Sequence, residues 1–202
     1  MGKRETAMGP LLAAAGYRIA VKPPKASTED MSAKARSTAM EVYERLGGRP
    51  EGRAINSGTW DLAVEGNLLI EVDEQEHFNR HRIVSLEGTS FPWTADYQRY
   101  SAAHEDRCRT YGKYWTTDRS AAMFGPASAP GNHDGVGSPR WRQRALYDAV
   151  RDTWVQDDPA WRMARLSMYD VVDGVRFDKV LRGKYQLDPA LLRELIESRT
   201  AG

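Results

Sequence analysis

From Thr59 to His77 the chain alternates apolar and polar residues on either side of the short run Glu65-Gly66-Asn67. Trp60, Leu62, Val64, Leu68, Ile70 and Val72 take one set of positions, while Asp61, Glu71 and Asp73 fall on the other. A period of two on both sides of a turn predicts a β-hairpin. A three-residue loop needs positive φ at Gly66 or Asn67. In that register Val64 faces Leu68, Leu62 faces Ile70 and Trp60 faces Val72. On the opposite face Asp61 meets Glu71, with Asp73 two residues further along.

Elsewhere the apolar spacing is mostly helical. Residues 11–16 predict a short helix, and 17–21 a brief strand before a Pro-Pro break. Ser27 or Thr28 caps a helix whose stripe is Met31, Ala35, Ala39, Val42 and Leu46, and Gly47-Gly48 ends it. Residues 95–111 predict a helix stopped by Gly112, followed by a strand at 113–117. The Gly, Pro, Ala and Ser content of 118–137 predicts a long mobile loop able to close over a substrate. Ser138 and Pro139 start a second well-capped helix with Trp141, Ala145, Leu146, Ala149, Val150 and Trp154 on its buried side. Strands are expected at 164–172 and 175–180, joined by Asp173-Gly174, and a last helix at 189–198. The expected fold is α/β, a mixed sheet of four or five strands flanked by helices. It forms a single domain with an N-terminal cap (1–25), a core (26–117), the loop (118–137) and C-terminal helices and strands (138–202).

Composition adds three limits. The 202 residues carry 29 Lys and Arg against 28 Asp and Glu, a net charge of +1, so an electrostatic partner must be met by local patches rather than by the whole surface. One cysteine, Cys108, excludes an internal disulfide and fits a reducing, cytoplasmic setting. No apolar run reaches membrane-spanning length, which predicts no membrane partner.

The candidate chemistry lies at the hairpin. Carboxylates gathered within roughly 5 to 8 Å on one strand face repel one another unless a cation sits among them. Hard oxygen ligands suit Mg²⁺ or Mn²⁺. The basic run Arg80-His81-Arg82 follows directly, and cations beside such a site suit a phosphodiester substrate.

The segment IEVDEQEH resembles the E-[VI]-D-G-x-x-H signature of small proteins in the PD-(D/E)xK nuclease superfamily, related to very short patch repair endonucleases. HEDRCR followed by Tyr111-Gly112 is similar to the D-x-x-R and Gly segment of the same proteins. The resemblance implies a restriction-endonuclease-like core and a metal-dependent endonuclease acting on DNA in restriction, defence or repair. It implies Asp61 and Glu71 as the metal-binding pair, with Mg²⁺ or Mn²⁺ the cofactor, and His77 as a further catalytic residue; Asp73, on the same strand face as Glu71, is expected to complete the metal cluster. Arg53, Arg80, Arg82, Arg107 and Arg109 are the expected nucleic-acid contacts, and Glu41 and Gln75 are further candidates. Two positions depart from the pattern: Asp73 stands where the family has Lys, and Glu74 where it has Gly. The general base is therefore open between a second metal, His77 and Arg80. A catalytically silent DNA-binding protein of the same fold, or a subunit of a larger assembly, fits the same residues. Double-strand cutting would call for a homodimer or a partner subunit.

Overall fold

The computed structural model describes residues 3–20, 22–49 and 52–202. In chain order its helices and strands are α1 (Lys3–Ala14), β1 (Lys25–Ser27), α2 (Ala33–Arg45), β2 (Asn56–Thr59), β3 (Leu62–Val64) and β4 (Leu68–Asp73). There follow α3 (Arg80–Ser85), α4 (Thr94–His104), α5 (Asp118–Phe124), α6 (Pro139–Asp157) and β5 (Arg162–Ser167). The chain closes with β6 (Val171–Val172), β7 (Val175–Arg176), α7 (Phe177–Leu181), α8 (Pro189–Ser198) and β8 (Thr200–Ala201).

The hairpin is the organising unit. Leu62 pairs with Ile70 and Val64 with Leu68, the register the alternation predicts, and both Gly66 and Asn67 take positive φ in the loop. β4 then pairs in parallel with β5, Glu71 beside Arg165 and Asp73 beside Ser167. β8 adds antiparallel to β5, giving the mixed four-stranded order β3-β4-β5-β8. The fold is thus α/β with a mixed central sheet flanked by helices. A parallel neighbour for β4 needs a long crossover, and α3, α4, α5 and α6 supply it.

Alternate residues of the strands feed two cores. Leu62, Val64, Leu68, Ile70 and Val72 join Ala164 and Leu166 under α1, α7 and α8. Ala63, Leu69 and Met163 face the other way, into a core shared with α2, α4 and α6. Trp60 departs from its expected face, for it packs on Trp154 at 5.0 Å in this second core. The chain bends at Asp61, and the Asp61 side chain accepts the Val72 N–H at 2.9 Å, the donor that a regular ladder would give to the Trp60 carbonyl.

Other expectations are corrected. The first helix runs over Lys3–Ala14 instead of 11–16. Of 17–21, Ile19 makes a single bridge to Val64, and Val21 lies outside the described residues. Ser27 caps only a 3-10 turn; α2 starts later, where the Ser32 hydroxyl accepts from Ala35 N–H, and it keeps the expected stripe. α4 stops at His104, stacked on Tyr169 at 4.0 Å, so it does not run to 111. Segment 113–117 is not a strand, because Trp115 gives its carbonyl to Ser138 Oγ (2.7 Å) and Arg140 N–H (3.2 Å) at the start of α6. Nor is 118–137 a structureless loop: Thr117 and Ser120 form a capping box that starts α5, and Ser128 ties Asp134 and Gly137 together. The Asp173-Gly174 turn forms with both φ positive, but only Val175 and Arg176 continue as strand before α7. α6 follows its Ser138 cap as expected, and α8 covers the expected 189–198.

Candidate functional site

Asp61 and Glu71 meet where the hairpin ends. Asp61 N–H donates to Glu71 Oε2 at 3.3 Å while Asp61 Oδ2 accepts from Val72, so each acid is fixed by the opposite strand. Together with Val72, Glu74, Glu76, His77 and Arg144 they line a cleft of about 190 Å³. His77 arrives there because Gln75–His77 forms a 3-10 turn directly after β4.

Beneath the cleft lies an ion-pair network. Asp73 is fully buried, with Oδ2 accepting from Arg165 Nη1 at 2.7 Å and Oδ1 3.2 Å from His77 Nδ1. His77 Nδ1 is closer to Asp148 Oδ2, at 2.9 Å. Asp148 also lies 3.4 Å from Arg165 and 3.7 Å from Arg151. Asp152 binds Arg82 and Arg165, each at 3.0 Å. Arg151 reaches Glu71 Oε1 at 2.9 Å and, with its other nitrogen, the carbonyls of Ser57 and Thr59. Four carboxylates (Glu71, Asp73, Asp148 and Asp152) therefore face three guanidiniums and one imidazole.

The electrostatics separate two of these acids. Burial pushes the Glu71 carboxyl up to about 8, against the attraction of Arg151 and with added repulsion from Asp61 and Asp73. Burial also works to raise Asp148, yet His77, Arg165 and Arg82 hold it well below the usual carboxylate range. At Glu71 burial thus outweighs the nearby cations, whereas at Asp148 the cations prevail.

The expected trio of Asp61, Glu71 and Asp73 does not converge as one ligand set. Asp73 groups instead with His77 and Asp148, whose ligand atoms lie within 4.8 Å of one another. That second trio already holds a cation, since Arg165 Nη1 contacts both of its acids. The donor set that suits a divalent ion better is Asp61 with Glu71, hard oxygens that line an open cleft, where Arg151 approaches Glu71 Oε1 at 2.9 Å from beneath.

The remaining candidates scatter. Arg82 is fully buried on Asp152 and cannot contact a nucleic acid, a correction that follows from the sheltered face of α3 on which it sits. Arg80 is held by both oxygens of Glu105. Arg109 stands beside the cleft, 3.4 Å from Glu76 and over the Tyr114 ring. Arg53 lines a separate hollow with Tyr43, Arg119 and Tyr147. Arg107 and Gln75 border another hollow, next to Tyr169. Glu41 is exposed on α2, bonded to Ser37, in a groove away from the acidic cleft.

Sequence reading missed Asp148, Asp152 and Arg165, and it reads Arg144 and Arg151 only as part of a basic helix able to meet a DNA backbone. A signal existed for two of them: Asp148 and Asp152 fall seven and eleven residues after Trp141, on the buried stripe of α6. An acid on an apolar stripe asks for a buried partner.

No curated protein and no solved structure matches the chain significantly. Residues 41–183, which include every member of the cleft and of the network beneath it, match a family described as a family of unknown function, DUF7255. That match spans more than half of the chain, and the protein belongs to this family.

Proposed function

We propose that the chain is a metal-dependent nuclease that hydrolyses DNA phosphodiester bonds at the Asp61 and Glu71 cleft. The observation that carries this reading is the meeting of the two acids at the end of the hairpin, where Asp61 N–H donates to Glu71 Oε2 and both line a cleft. The order of α2, antiparallel hairpin, helical crossover and parallel β5 supports it, because the PD-(D/E)xK resemblance implies a core of that kind. Asp61, Glu71 and the Val72 carbonyl would hold Mg²⁺ or Mn²⁺. Such an ion supplies a water of lowered pKa and offsets charge on the phosphate. His77 has its Nδ1 committed to Asp148, which leaves Nε2 as the ring nitrogen available for a proton at the cleft. Arg144 and Arg109 bring positive charge to the rim, where phosphate oxygens would lie.

Supercoiled DNA incubated with the protein and Mg²⁺ or Mn²⁺ tests this directly. Nicking or linearisation that disappears in Asp61→Ala and in Glu71→Gln is expected. Cleavage by Glu71→Gln at the parent rate would remove Glu71 from the mechanism.

One observation favours a catalytically silent nuclease-fold protein that binds DNA. Asp73, in the family's Lys position, is spent on Arg165, and Arg151 already lies against Glu71. Calorimetry showing DNA binding with neither metal binding nor cleavage would select that reading.

A further inference from the structure

The 3-10 turn Gln75–His77 borders two hollows. Glu76 and His77 line the acidic cleft, while Gln75 lines a second hollow, also of about 190 Å³. The charge of the second is opposite. Arg107, Arg176, Lys179 and Arg182 line it, and its acid among the described residues, Asp178, is ion-paired with Arg182 at 2.9 Å.

Tyr169, another lining residue, gives this hollow a built wall. The residue is 4% exposed, and its ring is held between His104, stacked at 4.0 Å, and the Arg176 guanidinium at 4.9 Å. Its hydroxyl has no hydrogen-bond partner. A buried hydroxyl in that condition is short of an acceptor, and the charged groups that act on it are Arg176 and Arg107 with Asp106, two cations to one acid. A small acceptor carrying negative charge and several oxygens satisfies the hydroxyl and the guanidiniums together. That description fits a phosphate group.

We propose that this hollow receives a backbone phosphate of the DNA strand whose scissile bond lies at the acidic cleft. The assignment rests on the nuclease reading for its choice of strand. Consecutive Cα atoms are only about 3.8 Å apart, so the shared turn makes the two hollows neighbours, one for the reacting phosphate and one for a flanking phosphate. Arg107 and Gln75, two of the candidates that lie outside the cleft, belong to it.

The test is binding without metal. A short fluorescein-labelled single strand in EDTA, followed by anisotropy across a salt series, is compared for the parent, Arg176→Ala, Lys179→Ala and Tyr169→Phe. Lys34→Ala on α2 is the control of equal charge change. Each of the two cation variants should weaken binding and lower the slope of log affinity against log salt by about 0.7, while the control does not. Tyr169→Phe should weaken binding with the slope unchanged. Lys179 is exposed, so its variant keeps the question answerable if Arg176→Ala unfolds. Affinities and slopes equal to the parent's in all three variants would overturn the proposal. So would inorganic phosphate binding that the variants abolish while strand binding stays intact, since the hollow would then serve free phosphate. A parent that binds as expected but never cleaves would defeat the hydrolase reading and leave this subsite standing.

Discussion

The two faces of the central sheet come from alternate residues of the same two strands, yet they are built on opposite principles. Toward α1, α7 and α8, β4 and β5 present Leu68, Ile70, Val72, Ala164 and Leu166, and the helices answer with more hydrocarbon. Toward α6 the same strands present Leu69, Glu71 and Asp73, and Met163, Arg165 and Ser167, and α6 answers with Asp148, Arg151 and Asp152. The first face needs no special account: burial of apolar area stabilises it. The second does, because desolvating paired charges cancels much of their attraction, and hydrocarbon of equal volume often serves stability as well or better. What the charges do provide is position. They fix His77 through Asp148 and Glu71 through Arg151, the groups the acidic cleft would use.

Breaking the polar face should therefore have the largest effect. Arg165→Met leaves Asp73, Asp148 and Asp152 sharing fewer cations in a place water does not reach, and should cost about 3–5 kcal/mol in urea unfolding. That is a large share of the roughly 5–15 kcal/mol typical of a whole domain. Asp73→Lys restores the residue of the family pattern, but it sets a second cation against Arg165 and should be worse still, with loss of the folded state rather than gain of activity. An Arg165→Met variant within about 1 kcal/mol of the parent would show that the charges are solvated and that the two faces do not differ as described.

The apolar face offers the matching measurement. Ile70→Ala should cost about 2–5 kcal/mol and Ile70→Val about 0.5–1.5 kcal/mol. Unlike Arg165→Met, both variants should keep the pH dependence of the parent, because Ile70 is fully buried among hydrocarbon.

Glu71 sets that pH dependence above pH 6.5. Its carboxyl ordinarily titrates near 4.5 but near 8 when folded, so between those values the unfolded chain loses a proton that the folded protein keeps. Stability should fall as pH rises through this window, the slope having the sign of a group that binds more protons when folded. Asp148 acts in a different window. It is held below its ordinary 3.8, so its contribution is present above that value and is lost as pH falls further. Burial holds His81 down to about 3 from its ordinary 6.5, so below pH 6.5 that side chain acts in the opposite sense. From pH 6.5 to 8, thermal melts should thus decline in the parent and run nearly flat in Glu71→Gln. A parent whose stability rises over the same range would show that Arg151 outweighs burial at Glu71.

The apolar face was legible in the sequence, and the polar one only by half. A period of two, a Gly66-Asn67 loop and the Ser138-Pro139 cap act over a few residues, and they set the hairpin register and α6. The same alternation put Asp61 opposite Glu71. It could not supply their partners, because Arg151 is 80 residues from Glu71 and Arg165 is 92 from Asp73. Nothing local marks such pairs except the oddity of an Arg inside MARLS or of an Asp on the stripe of α6. Where local signals were weak the elements went astray: no Gly or Pro interrupts 95–111, so nothing in the sequence marks the end of α4 at His104.

The smallest effect should come from an ion pair outside this network. Arg80 and Glu105 make the same chemical contact as Arg165 and Asp73, with Arg80 Nε at 2.9 and 3.1 Å from the two carboxylate oxygens. Half of the Arg80 side chain is in water, whereas Arg165 is fully buried. Solvent screens the exposed pair, and two long side chains lose freedom in forming it, so its coupling in a double-mutant cycle should be about 0.2–1 kcal/mol. Glu105→Ala alone should cost more than Arg80→Ala alone, because Glu105 also accepts the first backbone N–H of α3, from Arg80, at 2.6 Å. Raising the salt concentration should shrink the coupling further while leaving the Arg165→Met loss nearly unchanged. A coupling for Arg80 and Glu105 as large as the loss in Arg165→Met would mean that burial is not what distinguishes the polar face. Its charges would then be strong because of contact geometry alone, and the position they give His77 and Glu71 would be available on any face of the molecule.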